Sequence, residues 1–369
     1  TSHGLRYRFL ETLREFALAR FAEQPEAEQL RWRRAHLAVF YDLLMTVPRR
    51  YDSEAAVRSE AVRPYQDNFV PALEFCRQDQ PERALIFCWH LSTFWDWFAQ
   101  SLLARKHLKL TLPLPECQTL DDDRRIALDE LYHACTYTRD WEGAEYAANA
   151  SDIATEHPKQ YRLFMAEIRI DQGQLESAFA FLEQNLVEYR KERNHLFCSN
   201  ILLRQSRVFI MQGRFTEAFG VFQQAEQMME GLDLSLEWQS NHLRVKSLIL
   251  RLQGGLAESR ELLVRVTRLY TTNHSVAYNL INFASQALFE DKTKEAAQLY
   301  GASVAWCEHQ GFDLLAYNYF SRERDLTRLR DLLGDVEFEV AYNLGYEGDP
   351  ARILAQQLPG NCLMPSKIA

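Results

Sequence analysis

Glycine and proline are scarce in this 369-residue chain, with 14 of one and 11 of the other, and most of them fall between amphipathic runs. With Leu, Ala, Glu, Gln and Arg dominating, that scarcity argues for an all-α protein. No apolar run approaches the ~20 residues that a membrane-spanning helix needs, so no membrane partner is expected. Residues 1–20 are charged and amphipathic without an apolar centre, so they are not expected to act as a secretory signal peptide. The chain begins without Met and reads as a segment of a longer polypeptide. Its seven cysteines, Cys76, Cys88, Cys117, Cys135, Cys198, Cys307 and Cys362, are odd in number and widely spaced, with no C-x-x-C. They read as reduced core residues of a cytoplasmic protein.

Catalytic signatures are missing as well. There is no G-x-x-x-x-G-K-[ST] phosphate loop, no G-x-G-x-x-G, no H-E-x-x-H and no G-x-S-x-G. No enzymatic activity, cofactor or metal is therefore expected of this segment. Asp129 and His133 stand four apart on one helical face, a pair that also arises by chance in helical proteins. Asp121, Asp122 and Asp123 read as the acidic first turn of a helix, favoured by its dipole.

Basic character is also limited. Residues 1–50 hold nine Lys/Arg against six Asp/Glu, a net of +3, so the remainder holds 33 against 45, a net of −12. An acidic array is a poor surface for phosphates, and no direct nucleic-acid binding is expected.

What the chain does contain is a recurring phrase: a turn residue, an apolar residue two later and a small residue five later. Gly173, Leu175, Ala178 and Gly213, Phe215, Ala218 fit it best. Looser copies are Arg139, Trp141, Ala144; Gly254, Leu256, Ser259; and Asp291, Thr293, Ala296. The anchors fall 34, 40, 41 and 37 residues apart, a period that marks a repeat solenoid. Helix pairs are expected at about 124–156, 158–192, 195–230, 235–270 and 274–309. A small residue recurs seven positions before the turn, at Ala166, Ser206, Ser247 and Ala284, where helices cross closely. Tyr132 breaks this pattern, so the first pair is expected to pack loosely or offset.

Before the array, helices are expected over residues 5–24 and 27–46, and two more from residue 65 onward, divided near residues 78–81 and stopped by Pro113 and Pro115. The aromatic cluster Trp89, Phe94, Trp95, Trp97 and Phe98 reads as core. The organisation expected is an N-terminal helical segment (1–50), a repeat array (64–310), closing helices (311–358) and a tail (359–369). If the first helix of each pair lines a groove, the residues facing it are Asp129, His133, Glu167, Asn200, Arg207, Asn241, Arg244, Arg251 and Tyr278. Arg207, Arg244 and Arg251 read as a basic patch for carboxylates or phosphates, with ordinary ion pairing as the competing reading.

The repeats resemble tetratricopeptide repeats, in which a small residue, a turn Gly and an Ala recur as they do at Gly173 with Ala178 and Gly213 with Ala218. The flanks are more specific. The stretch RYRFLETLREFALARF (6–21) is similar to the end of the winged-helix part of STAND signal-transduction ATPases, bacterial regulators related to the antibiotic regulatory proteins. Asp67, Asn68, Phe69, Ala72, Leu73 and Glu74 resemble that family's opening repeat motif, although Pro71 departs from it and would shorten the helix. Leu329, Leu332, Phe338, Ala341 and Gly345 resemble its closing helices.

The resemblance implies a right-handed α-solenoid of tetratricopeptide-like pairs, serving as the sensor module of a transcription or signalling regulator. Its groove would take a protein, peptide or small-molecule inducer and so control an upstream nucleotide-binding switch. ATP or ADP belongs only to that upstream domain. The alternative is a free-standing scaffold that binds a peptide or protein partner.

Overall fold

The recurring turn phrase closes five helix pairs in the computed structural model, which describes residues 11–48, 55–98, 100–150, 155, 157–232, 234–269, 273–310 and 316–359. The pairs are α7 (Asp121–Tyr137) with α8 (Trp141–Ala150), α9 (Pro158–Asp171) with α10 (Leu175–Lys191), and α11 (His195–Met211) with α12 (Phe215–Met229). They continue with α13 (Leu236–Leu252) and α14 (Leu256–Leu269), then α15 (Asn273–Phe289) and α16 (Thr293–Gln310). No strand occurs among the described residues.

Every anchor of the phrase lies in the left-handed region. φ is +51° at Arg139, +74° at Gly173 and Gly213, +84° at Gly254 and +59° at Asp291. The next amide then reaches back five residues: Asp140 to the Cys135 carbonyl (2.9 Å), Gln174 to Arg169 (2.8 Å), Arg214 to Phe209 (2.8 Å), Gly255 to Leu250 (2.8 Å) and Lys292 to Ala287 (2.9 Å). This is the Schellman closure, and it satisfies carbonyls that the helix end leaves unpaired. One backbone device thus ends the first helix of all five pairs.

The small residues mark the crossings. Ala144, Ala178, Ala218, Ser259 and Ala296 have no exposed surface, and neither do Ala166, Ser206, Ser247 and Ala284. Where serine replaces alanine its hydroxyl is bonded: Ser206 Oγ donates to the Ala218 carbonyl (3.0 Å), and Ser259 Oγ to the Ser247 carbonyl (2.8 Å). Tyr132, the residue that breaks the pattern, points to the next pair. Its ring stacks on Phe164 of the next pair (centroids 3.8 Å apart) and its hydroxyl donates to the Phe164 carbonyl at 3.3 Å. The bulk is therefore directed between pairs, where it fills space.

Ahead of the array lie α1 (Glu11–Ala22), α2 (Glu26–Leu44), α3 (Ala55–Val62), a 3-10 turn at Arg63–Asn68, α4 (Phe69–Asp79), α5 (Pro81–Trp97), α6 (Ser101–Thr111) and a 3-10 turn at Pro115–Thr119. Two of these differ from expectation. The stretch read as two helices holds three, because α5 ends at Trp97 with the Gln100 amide bonded to the Trp95 carbonyl (2.9 Å) and no Gly or Pro at the break. Pro71 does not shorten α4, since it sits in the first turn, where a missing amide costs nothing. The aromatic cluster is core: Trp89, Phe94, Trp95 and Phe98 are all buried, and Trp89 donates to Asp123 Oδ1 at 3.0 Å. Six cysteines are buried and form no disulfide with one another, and Cys362 lies outside the described residues.

The array is closed by α18 (Asp335–Tyr346), which packs on α16, and by α19 (Pro350–Gln356), which packs on α15 and α16. The helix between them and the array, α17 (Ala316–Leu333), takes a different course. It packs on α15 and α16 and also reaches α9 and α11, the first helices of two much earlier pairs.

Candidate functional site

The first helices α7, α9, α11, α13 and α15 share one face of the array, and the polar residues on it are linked from pair to pair. On α7, His133 Nε2 stands 3.9 Å from Asp129 Oδ1. On α9, Glu167 accepts from Nε of Arg204, which lies on α11 and also donates to Asn200 one turn earlier. Arg207 of α11 donates to Asn241 of α13. Asn200, Arg207, Asn241 and Arg244 are all half-buried.

The hydroxyl of Tyr278, on α15, is buried, and burial holds it well above the usual tyrosine range. Among the groups acting on it, Tyr137 of α7, Cys307 of α16 and Asp171 of α9 raise it and Arg244 of α13 lowers it. Tyr278 packs against the C-terminal apolar cluster around Leu280 and Leu299, and so does Tyr137, a residue of the first helix furthest from it in the array.

Arg251 does not join this surface. It is 2% exposed, donates from Nη1 to the Asn282 carbonyl (3.1 Å), and places its guanidinium 5.9 Å from the Phe289 ring. Helical spacing put it on the same face as Arg244, but α15 covers that end of α13. The expected trio of arginines thus separates into Arg207 and Arg244 on the face and Arg251 in the interior.

Three residues of this region escaped the sequence reading. Arg204, four residues after Asn200, carries the same spacing signal as Asn200 and could have been found from it. Asp325 and Tyr300 gave no such signal. Asp325 of α17 is 2% exposed and accepts from the Tyr300 hydroxyl at 2.7 Å, fastening α17 to α16. Through this contact and its packing on α9 and α11, α17 lies over part of the first-helix face.

No group of three or more His, Cys, Asp or Glu side chains able to hold a metal occurs among the described residues. The Asp129 and His133 pair accordingly has no third ligand there. Burial pushes the Cys76, Cys88 and Cys135 thiols up to about 12, which leaves them poor nucleophiles. No protein-family profile matches the chain, and no curated protein matches it.

Proposed function

We propose that this chain is the non-catalytic sensor segment of a STAND-type signal-transduction ATPase, built as a right-handed α-solenoid and working in the cytoplasm. The observation that carries the reading is the linkage of first helices from pair to pair, by Arg204 with Glu167 and Arg207 with Asn241, and by Tyr137 and Tyr278 packing against one apolar cluster. A face assembled from several repeats changes shape whenever the repeats shift. Such a face suits recognition of an inducer, whether a protein, a peptide or a small molecule. Arg207, Arg244 and Arg204 give it cationic groups for a carboxylate or phosphate.

The position of α17 supports a switching role. A ligand that displaced α17 from this face would bind the displaced form more tightly than the docked form, and unequal affinity is the condition for shifting an equilibrium. The N-terminal helix α1 supports a connection to a further domain. Leu13, Phe16 and Leu18 on it are each more than half exposed, an apolar surface suited to a preceding segment that carries the nucleotide.

A thermal-shift screen of small polar and peptide ligands tests the reading on this chain, with an Arg207→Ala, Arg244→Ala double variant beside it. A ligand that stabilises the parent and fails to stabilise the double variant is the expected result. Equal stabilisation of both moves the site away from this face. Arg251 is left out of the variant because its removal would disturb the interior.

A further inference from the structure

Where α5, α6 and α7 meet, a narrow cleft is walled by Ser92 and Asp96 of α5, Ser101 and Ala104 of α6, and Glu130 and Ala134 of α7. Every polar side-chain atom these residues bring is an oxygen. No Lys, Arg or His is among the described residues that line the cleft, and the cationic side chains of α6, Arg105 and Lys109, turn to Asp140 instead.

Two features set this junction apart from ordinary helix packing. Glu130 is 6% exposed, and the hydroxyl that Thr93 offers its Oε1 is long, at 3.4 Å, and divided with the Trp89 carbonyl at 3.3 Å. A carboxylate this far from water is stable when it is paired or coordinates a metal. Ser101 is 2% exposed and its Oγ has no hydrogen-bond partner, although a buried hydroxyl normally has one. An unpartnered buried oxygen thus lines the same cleft as two carboxylates.

We propose that this cleft binds a calcium ion, held by the carboxylates of Asp96 and Glu130 and by the Ser101 hydroxyl. Donors that are all oxygen select a hard cation over zinc or copper. No water-sized sphere fits inside the cleft. Water needs about 2.8 Å to an oxygen partner and a calcium–oxygen bond only about 2.4 Å, so a bare ion enters where water does not. Magnesium sheds its water reluctantly and demands near-octahedral geometry, which disfavours it here. Water completes the calcium shell on the side where half-buried Asp96 meets solvent. With two carboxylates and no third His, Cys, Asp or Glu ligand among the described residues, the affinity is modest. The bound ion ties the N-terminal helices α5 and α6 to α7, the first helix of the array. The inference rests on this cleft and not on the sensor reading.

Terbium tests it on the full chain, because that ion takes the oxygen ligands of calcium and luminesces when a nearby tryptophan is excited. Trp89, Trp95 and Trp97 share α5 with Ser92 and Asp96. Tryptophan-excited terbium emission is expected, and CaCl2 titrated from about 1 μM to about 10 mM is expected to displace it, with MgCl2 needing at least about tenfold more. Asp96→Asn and Ser101→Ala are each expected to weaken calcium binding about tenfold and Glu130→Gln to abolish it. Asp122→Asn, on the exposed first turn of α7, is expected to leave it unchanged. Circular dichroism checks that each variant is folded, and Ser101→Ala, which removes a single oxygen, keeps the test decisive if Glu130→Gln unfolds. Absence of emission overturns the proposal, and so does emission that calcium fails to displace. Emission and calcium affinity that are the same in Asp96→Asn and Ser101→Ala as in the wild type also overturn it, by placing the ion on carboxylates elsewhere. Displacement by magnesium as readily as by calcium overturns the assignment of the ion.

Discussion

Gly301 of α16 and Gly345 of α18 face each other at a helix crossing so close that neither tolerates a side chain. A Cβ on Gly301 would overlap the Tyr342 carbonyl, and one on Gly345 would overlap the Gln298 carbonyl. The two glycines fix the closing helix on the last pair, and the obstruction is backbone, which cannot swing aside as a side chain can. Gly345→Ala is expected to destabilise the fold by about 3 kcal/mol, the upper end for overpacking. Urea unfolding measures it, and a loss below about 0.5 kcal/mol would show that the crossing relaxes freely.

Arg139 and Asp291 occupy left-handed positions that Gly173, Gly213 and Gly254 fill in the other repeats. A non-glycine residue is strained there. Arg139→Gly and Asp291→Gly are each expected to raise stability by about 0.5–1 kcal/mol, and Gly213→Ala to lower it by about 1 kcal/mol. The sign of the three unfolding-midpoint shifts is the check.

These turns explain how much of the fold was legible. The phrase could be read because one conformation imposes one residue preference at five places, and the small residues recurred because each crossing has the same geometry. The break between α5 and α6 left no mark, since tertiary packing around Trp95 and Phe98 ends the helix without Gly or Pro. The face was legible at Glu167, Arg207, Asn241 and Arg244, where periodicity within one helix decides which side is presented. It was illegible at Arg251 and Asp325, where burial is imposed by packing against another helix and not by periodicity within one.

His107 supplies a pH signature. It is buried, and burial together with the nearby Arg77 guanidinium, which stands 3.2 Å from Nδ1, lowers it from 6.5 to about 4. Unfolded, the ring takes a proton below about 6.5, whereas folded it does so only near 4. The unfolded state therefore binds more protons across that window, and stability falls as pH drops from 6.5 to 4. Urea midpoints at pH 7, 5.5 and 4.5 are expected to decline in the wild type and to decline less in His107→Gln. Parallel declines would assign the effect to other groups.

Asp325 and Tyr300 hold α17 in place, and their separation tests that role. In Asp325→Asn the amide oxygen is a weaker acceptor for the Tyr300 hydroxyl, and loss of one buried partner costs about 1–3 kcal/mol. Hydrogen exchange is expected to accelerate about tenfold or more along residues 322–333, corresponding to ~1.4 kcal/mol, with α7 to α14 unchanged. Uniform acceleration throughout the chain would mean that the bond supports the whole fold and not α17 alone.

The most direct test joins α17 to the proposed nucleotide switch. In a longer polypeptide of the nucleotide-binding kind that the sensor proposal requires, release of bound fluorescent ADP is measured for the wild type and for Asp325→Asn. If the first-helix face governs an upstream switch and α17 competes for that face, the variant releases ADP faster without any inducer, while the isolated 369-residue chain binds none. A longer polypeptide that holds no nucleotide, or one whose release rate is the same in both proteins, would contradict the sensor reading.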